Sequence, residues 1–194
     1  MASSRHCPVT LFAVFPLLSL IILPCAIAST SHYHHHNHNH ELKSLHFSLY
    51  QHDIINQTVY LIVKGVVGPG VGQVAVPFGT IYVFQEPMTV TANRSSAVVG
   101  VVQGSSTVSS FDGLESMAVA KITLNMKHYK GSLSVLGIAH SMKPADHPVV
   151  GGTGDFLFVQ GYVTSSPVDL KGNALVYKIE FHLYWPPYAT KLMT

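Results

Sequence analysis

Charge is scarce in this sequence. Only 10% of its 194 residues are charged, against 47% hydrophobic, which is too apolar for a disordered chain. Ten basic and nine acidic side chains remain once Arg5 is set aside with the leading segment described below. So even a balance leaves no electrostatic footprint for nucleic acid and points to uncharged or aromatic partners. Cysteine is scarcer still, with Cys7 and Cys25 the only two. No segment carries a clear amphipathic helical stripe, and several reactive signatures are missing. There is no Gly-x-Ser-x-Gly elbow and no His-Glu-x-x-His zinc pair. Gly68-Pro69-Gly70-Val71-Gly72 and Gly151-Gly152-Thr153-Gly154 resemble phosphate loops, but neither is followed by Lys-Ser/Thr. Both read as turns that need positive φ.

The longest apolar run comes first, from Pro8 to Ala28, with Arg5 and His6 ahead of it and Ala26-Ile27-Ala28 closing it. A basic cap, an apolar middle and a small-x-small end are the parts of a secretory signal peptide, here residues 1–28. The alternative, an uncleaved anchor, is opposed by Pro16, Pro24 and the absence of a basic stop-transfer cluster after the run. Cleavage after Ala28 removes both cysteines and, with them, any disulfide or thiol nucleophile. It also leaves no membrane segment. About 150 remaining residues suffice to build a core without covalent staples. Export agrees with two glycosylation sequons, Asn56-Gln57-Thr58 and Asn93-Arg94-Ser95.

Residues 29–43 form a polar leader rich in histidine: His32, His34, His35, His36, His38 and His40. Neutral imidazoles ligate copper, zinc or nickel, yet nothing in the spacing fixes a geometry. A solvated, disordered linker with adventitious metal affinity explains the composition as well, and no physiological metal or cofactor is expected.

From Leu45 the period becomes two. Leu45, Phe47 and Leu49 alternate with His46, Ser48 and Tyr50; Ala118, Ala120, Ile122 and Leu124 alternate with Val119, Lys121 and Thr123. Leu175, Tyr177, Ile179, Phe181 and Leu183 continue the theme around Lys178, Glu180 and His182. Such alternation places one strand face on a core and the other in water. Further β-rich runs span 59–67, 79–85, 97–102, 132–138 and 156–163. About eight strands without crossover helices predict an antiparallel sheet. To lose its edges the sheet must close into a barrel or split into a sandwich, and periodicity does not choose between them. The 59–67 run is apolar on both faces, which suits a strand covered by a neighbouring subunit. Asp53, at the end of the first strand, is either a turn cap or a general acid with a raised pKa at a barrel mouth; spacing alone favours the cap.

Several segments, taken in order, resemble the plant dirigent family. They are Phe47-Ser48-Leu49-Tyr50-Gln51-His52-Asp53-Ile54, Phe78-Gly79, Val98-Val99-Gly100 with Gln103-Gly104, and Tyr129-Lys130-Gly131-Ser132-Leu133. The most specific is Val149-Val150-Gly151-Gly152-Thr153-Gly154-Asp155-Phe156 with Gly161-Tyr162 behind it. The resemblance covers residues 44–188 and leaves 189–194 as a tail. It implies an all-β fold, an eight-stranded antiparallel β-barrel of the dirigent and allene-oxide-cyclase type. It also implies a homotrimer or homodimer, secreted to the apoplast, with an apolar pocket in each barrel. Dirigent proteins carry no oxidising centre. A laccase or peroxidase makes phenoxy radicals from monolignols, and the barrel steers their coupling in lignan metabolism. Some relatives instead close rings on quinone methides with the help of pocket acids, and a rival role is a phenolic- or carbohydrate-binding wall or disease-resistance protein.

Carried over residue by residue, the resemblance implies Asp53 as the catalytic acid. It implies Phe47, Leu49, Ser106, Ala139, His140 and Phe158 as pocket residues. The chain departs from the family pattern in three places. The second acid falls on Ile138 or Ala139, the arginine on Ala145 beside Asp146, and the pocket tyrosine on Ser106. His140 and His147 are substitute proton donors or exposed loop residues. Acid-assisted ring closure is therefore expected to be impaired, and apolar binding of a phenolic radical retained.

Overall fold

The computed structural model describes residues 43–67, 76–171 and 174–192, all within a compact unit of residues 39–194. The expected signal peptide, the six leader histidines and Gly68–Gly72 lie outside the described residues. Nine strands follow in order: β1 (Lys43–Ile54), β2 (Val59–Val63), β3 (Ile81–Thr89), β4 (Val98–Val108), β5 (Glu115–Asn125), β6 (Lys130–His140), β7 (Ala145–Gly154), β8 (Gln160–Lys171) and β9 (Ala174–Trp185). A short helix, α1 (Pro187–Leu192), follows β9 among the described residues.

The sheet runs β1-β9-β8-β7-β6-β5-β4-β3-β2, and β1 also pairs with β3. That pairing, through Tyr50↔Thr89 and Gln51↔Met88, closes an antiparallel barrel and settles the choice that periodicity left open. The barrel has eight strand positions, because β1 and β2 share one. β2 runs on along β3 in the same sense, from Val59↔Phe84, after a turn that loops Asn56 out at φ 63°. Asparagine tolerates this left-handed conformation better than other non-glycine residues. Both sequon asparagines, Asn56 and Asn93, are exposed.

Two segments depart from the sequence-based expectation. The pattern predicts one strand over 156–163, but Phe156, Leu157 and Phe158 form a tight turn. Phe156 N and Leu157 N donate to Thr153 O and Gly154 O at 3.2 and 3.0 Å, and Phe158 has φ 59°. The Gly151-Gly152-Thr153-Gly154 stretch, read as a turn, lies inside β7. Gly154 alone among these glycines has a positive φ, 62°. At Gly152 a Cβ would stand 2.2 Å from the Phe156 carbonyl oxygen, so the glycine lets the following turn fold back onto the strand. β7 escaped the pattern because Pro148 and three glycines erase its alternation. Pro148 sits where β7 passes from pairing with β8 to pairing with β6, a place where its missing N–H costs little.

The inward residues fall into two sets along the barrel axis. At one end Phe47 stacks on Phe181 (centroids 4.3 Å, planes 5° apart), and Phe156, Trp185 and Tyr129 form a second stack. The Lys43 ammonium caps it, 4.4 Å from the Trp185 ring centre, a cation–π contact. Met88, Leu124, Leu133 and Leu183 fill the space behind these rings. The other end is open inside.

Candidate functional site

The hollow end is a cavity of about 300 Å³, at the small end of the range that takes a small organic molecule. Apolar walls come from Val102 and Val108 on β4, Ile122 on β5, Val135 on β6, Val163 on β8 and Ile179 on β9. Strand alternation produces this lining: inward positions carry branched aliphatics, and outward ones such as Gln103 and Lys121 meet solvent. Against these walls stand a few polar groups: Asp53 and Gln51 on β1, Tyr82 and Glu86 on β3, Tyr177 on β9.

Glu86 is the most deeply buried of these, only 2% exposed. Gln51 Nε2 donates to its Oε2. Burial, first, and the neighbouring Asp53 charge, second, push the Glu86 carboxyl up to about 8 against the pull of the Gln51 hydrogen bond. Burial likewise raises Asp53 to about 6. Its Oδ1 is buried with no hydrogen-bond partner among the described residues. The Tyr177 and Tyr82 phenols are also pushed up, by burial and then by the Asp53 charge, with Glu86 adding to the effect on Tyr177. Two carboxyls that cannot both ionise cheaply share one apolar chamber. One can hold a proton where the other has lost its own.

Asp53 therefore faces the cavity. Ser106, Ala139 and His140 line the same chamber, so four of the residues singled out from sequence come together. His147, 6% exposed, joins them, and burial lowers its pKa; neither it nor His140 is a free loop residue. The other three stand elsewhere. Phe47 packs into the filled end, Leu49 is a core residue at 4% exposure, and Phe158 sits 42% exposed in the turn before β8, edge-on to Tyr188. Alternation correctly turned Phe47 and Leu49 inward, but an inward side chain can belong to either end of a barrel. Sequence reasoning passed over Glu86, Gln51, Tyr82 and Tyr177. The two-residue step from Tyr82 through Phe84 to Glu86 was the available signal, masked because Gln85-Glu86-Pro87 looks like a polar turn. Among the described residues no group of three or more His, Cys, Asp or Glu side chains gathers as a metal site.

Outside the barrel, His52 is 1% exposed. Thr89 Oγ1 donates to Thr91 O at 2.6 Å, so its contact of 2.7 Å with His52 Nε2 makes the histidine the donor. This bond clamps the β1–β3 seam that brings Asp53 and Glu86 together. The pair His52-Asp53 thus divides its work: one side chain holds the closure, the other faces the chamber.

Known proteins agree with this architecture. The chain is 32% identical over 142 residues to pterocarpan synthase 1 of Glycyrrhiza echinata, covering 70% of this chain and 76% of that protein. It is 32% identical over 127 residues to dirigent protein 5 of Arabidopsis thaliana, covering 61% and 67%. Among solved structures, the pterocarpan synthase dirigent protein PsPTS1 superposes with a TM-score of 0.61 at 28% identity, covering 73% of this chain and 94% of that one. GePTS1, another pterocarpan synthase dirigent protein, gives 0.65 at 24% identity, over 75% and 92%. The family model described as "Dirigent-like protein" matches residues 44–184, and the chain belongs to the dirigent family.

Proposed function

We propose that this barrel binds an uncharged phenolic compound in its hollow end and fixes which face of it forms the new bond. The reading rests on one observation: a small apolar chamber, closed at one end by stacked aromatics, in which Gln51, Asp53, Tyr82, Glu86 and Tyr177 stand together on the adjoining strands β9, β1 and β3. A flat ring slides against the aliphatic walls and its oxygen meets Asp53, Glu86 and Tyr177. The leading reaction is coupling of phenoxy radicals from monolignols such as coniferyl alcohol, the radicals being supplied by a laccase or peroxidase. Catalysis here is orientation. About 2 kcal/mol of differential placement gives roughly thirtyfold selectivity between faces. The test is to oxidise coniferyl alcohol with a one-electron oxidant in the presence of the protein and separate the products on a chiral column. An excess of one enantiomer is expected; a racemate overturns the reading and favours the binding or defence role.

A second reading has its own support. The carboxyl pair fits acid-assisted ring closure on a quinone methide, and Glu86 stands in the chamber where the sequence departs from the family's second acid. Similarity to pterocarpan synthases points the same way.

The functional unit we propose is a secreted homo-oligomer, a trimer or dimer. Its support is an outward row in cross-strand register, Tyr60, Val83, Ser105, Val119 and Leu136, whose four large apolar members are 42–54% exposed. Rows of this kind are more often buried by a partner than left in water.

A further inference from the structure

We propose that His46 and His182 form a binding site for one divalent transition-metal ion on the outer wall of the barrel, tying β1 to β9. The ligand class is an ion that favours imidazole nitrogen, with zinc as the probe. The site is independent of the chamber and of any chemistry done there.

Strand register brings the pair together. His46 and His182 are direct partners across the β1–β9 ladder, where opposed Cβ atoms stand about 4.5–5.5 Å apart. They face outward, and the next pair in register, Phe47 and Phe181, stacks on the inner side. The filled core thus holds the backbone beneath them. The two Nδ1 atoms are 3.3 Å apart, with the ring planes inclined by 64°. Two nitrogens bound at about 2.0–2.1 Å to one tetrahedral zinc are separated by about 3.3–3.4 Å. The rings already hold that bite. A hydrogen bond between them is the other use of the contact, but 3.3 Å exceeds the usual N–H range of about 2.7–3.2 Å. Tyr162 stacks on His182 with centroids 4.7 Å and planes 18° apart, so the plane of that imidazole is set in advance.

Neutral imidazole suits zinc and copper, whereas magnesium and calcium prefer oxygen. With the ring protons on Nε2, both Nδ1 lone pairs point to the ion, and water takes the other two corners of the tetrahedron. Glu180, the neighbouring outward acid on β9, is held by Lys178 Nζ at 2.7 Å. Neither ligand belongs to the histidine-rich leader. Neither belongs to the apolar row on β2 to β6 that we assign to the oligomer contact. An ion that needs both strands in register binds the folded barrel and stabilises it.

The experiment is a calorimetric titration with zinc chloride. The parent is the full chain carrying His32→Gln, His34→Gln, His35→Gln, His36→Gln, His38→Gln and His40→Gln, which removes leader binding from the signal. One zinc should bind per chain, and zinc should raise the Tm. His46→Gln and His182→Gln should each weaken binding by at least about tenfold, since losing a ligand costs no less than losing the outer contacts that support one. Both should abolish the rise in Tm. His128→Gln, at an exposed position away from the pair, should change neither. Copper(II) should bind more tightly than zinc, and magnesium should give no heat. Equal zinc affinity in the parent and in both variants overturns the proposal, as does a parent that circular dichroism shows to be folded and that binds no zinc. A second measurement uses the unmodified chain. Anomalous scattering from zinc-grown crystals should place an ion about 2.0–2.1 Å from both Nδ1 atoms; zinc on other side chains alone overturns the assignment.

Discussion

The two ends of the barrel are made from the same strands by the same alternation, yet they differ in kind. On β9 the inward residues Phe181, Leu183 and Trp185 are each no more than 1% exposed and pack into a solid core, while Leu175, Tyr177 and Ile179 of the same face border a chamber. On β1, Phe47 and Leu49 belong to the core, and Gln51 and Asp53 to the chamber. Large rings fill one end; acids, Ser106 and small residues such as Ala118 and Ala139 leave the other open. The filled end carries the stability that lets the hollow end keep buried, poorly paired carboxyls, which are costly groups to enclose.

The sharpest way to break this comparison is to truncate both ends. Phe181→Ala or Trp185→Ala is expected to cost about 3–5 kcal/mol, as large-to-small changes in packed cores do. Leu175→Ala, beside the chamber, should cost under about 1.5 kcal/mol because fewer packing contacts are lost. Urea unfolding measures both; equal losses would mean that the chamber is packed like the core. Ala118→Phe tests the other side of the contrast. It should fill the chamber, leave the fold intact and weaken coniferyl alcohol binding by at least about tenfold, or 1.4 kcal/mol, in a fluorescence titration.

pH supplies a subtler test. Glu86 and Asp53 have folded pKa values above their ordinary ones, so the folded state holds protons that the unfolded chain releases. Their contribution to stability is complete below the unfolded carboxyl range and is lost as pH rises through about 6 for Asp53 and about 8 for Glu86. His52 and His147, whose pKa values are lowered by burial, act oppositely and lose stability as pH falls below the ordinary histidine value. The clean window for Glu86 is therefore about pH 6.5 to 8. Stability should decline there by an amount on the order of 1 to 3 kcal/mol, and Glu86→Gln should flatten the decline. A flat profile in the unmodified chain would contradict the enclosure of Glu86.

The smallest effect on the fold concerns the outside wall. Val119→Asp should change the stability of one barrel by no more than about 0.5 kcal/mol, yet shift the sedimentation coefficient toward the monomer. An unchanged oligomer would place the interface elsewhere.

Much of the fold is legible in the sequence. β1, β5 and β9 follow their alternation closely. β7 did not, since glycine and proline carry no sign of which face they occupy. The site was legible in part. Asp53, Ser106, Ala139 and His140 came from resemblance and reach the chamber; Phe47, Leu49 and Phe158 came the same way and do not. Glu86 was visible only as one acid among nine, because a carboxylate in a polar-looking triplet does not announce that it points inward.

The sequence by itself determined that the described chain is β, which faces of its clearest strands turn inward, and that it carries the dirigent motifs. These are local properties, set by side-chain period and composition. Only the tertiary structure decided which end of the barrel is hollow and that Asp53 and Glu86 meet there. The β1–β3 closure joins strands with no contact in sequence, and raised carboxyl pKa values arise from enclosure, a property of the closed wall rather than of any residue in it.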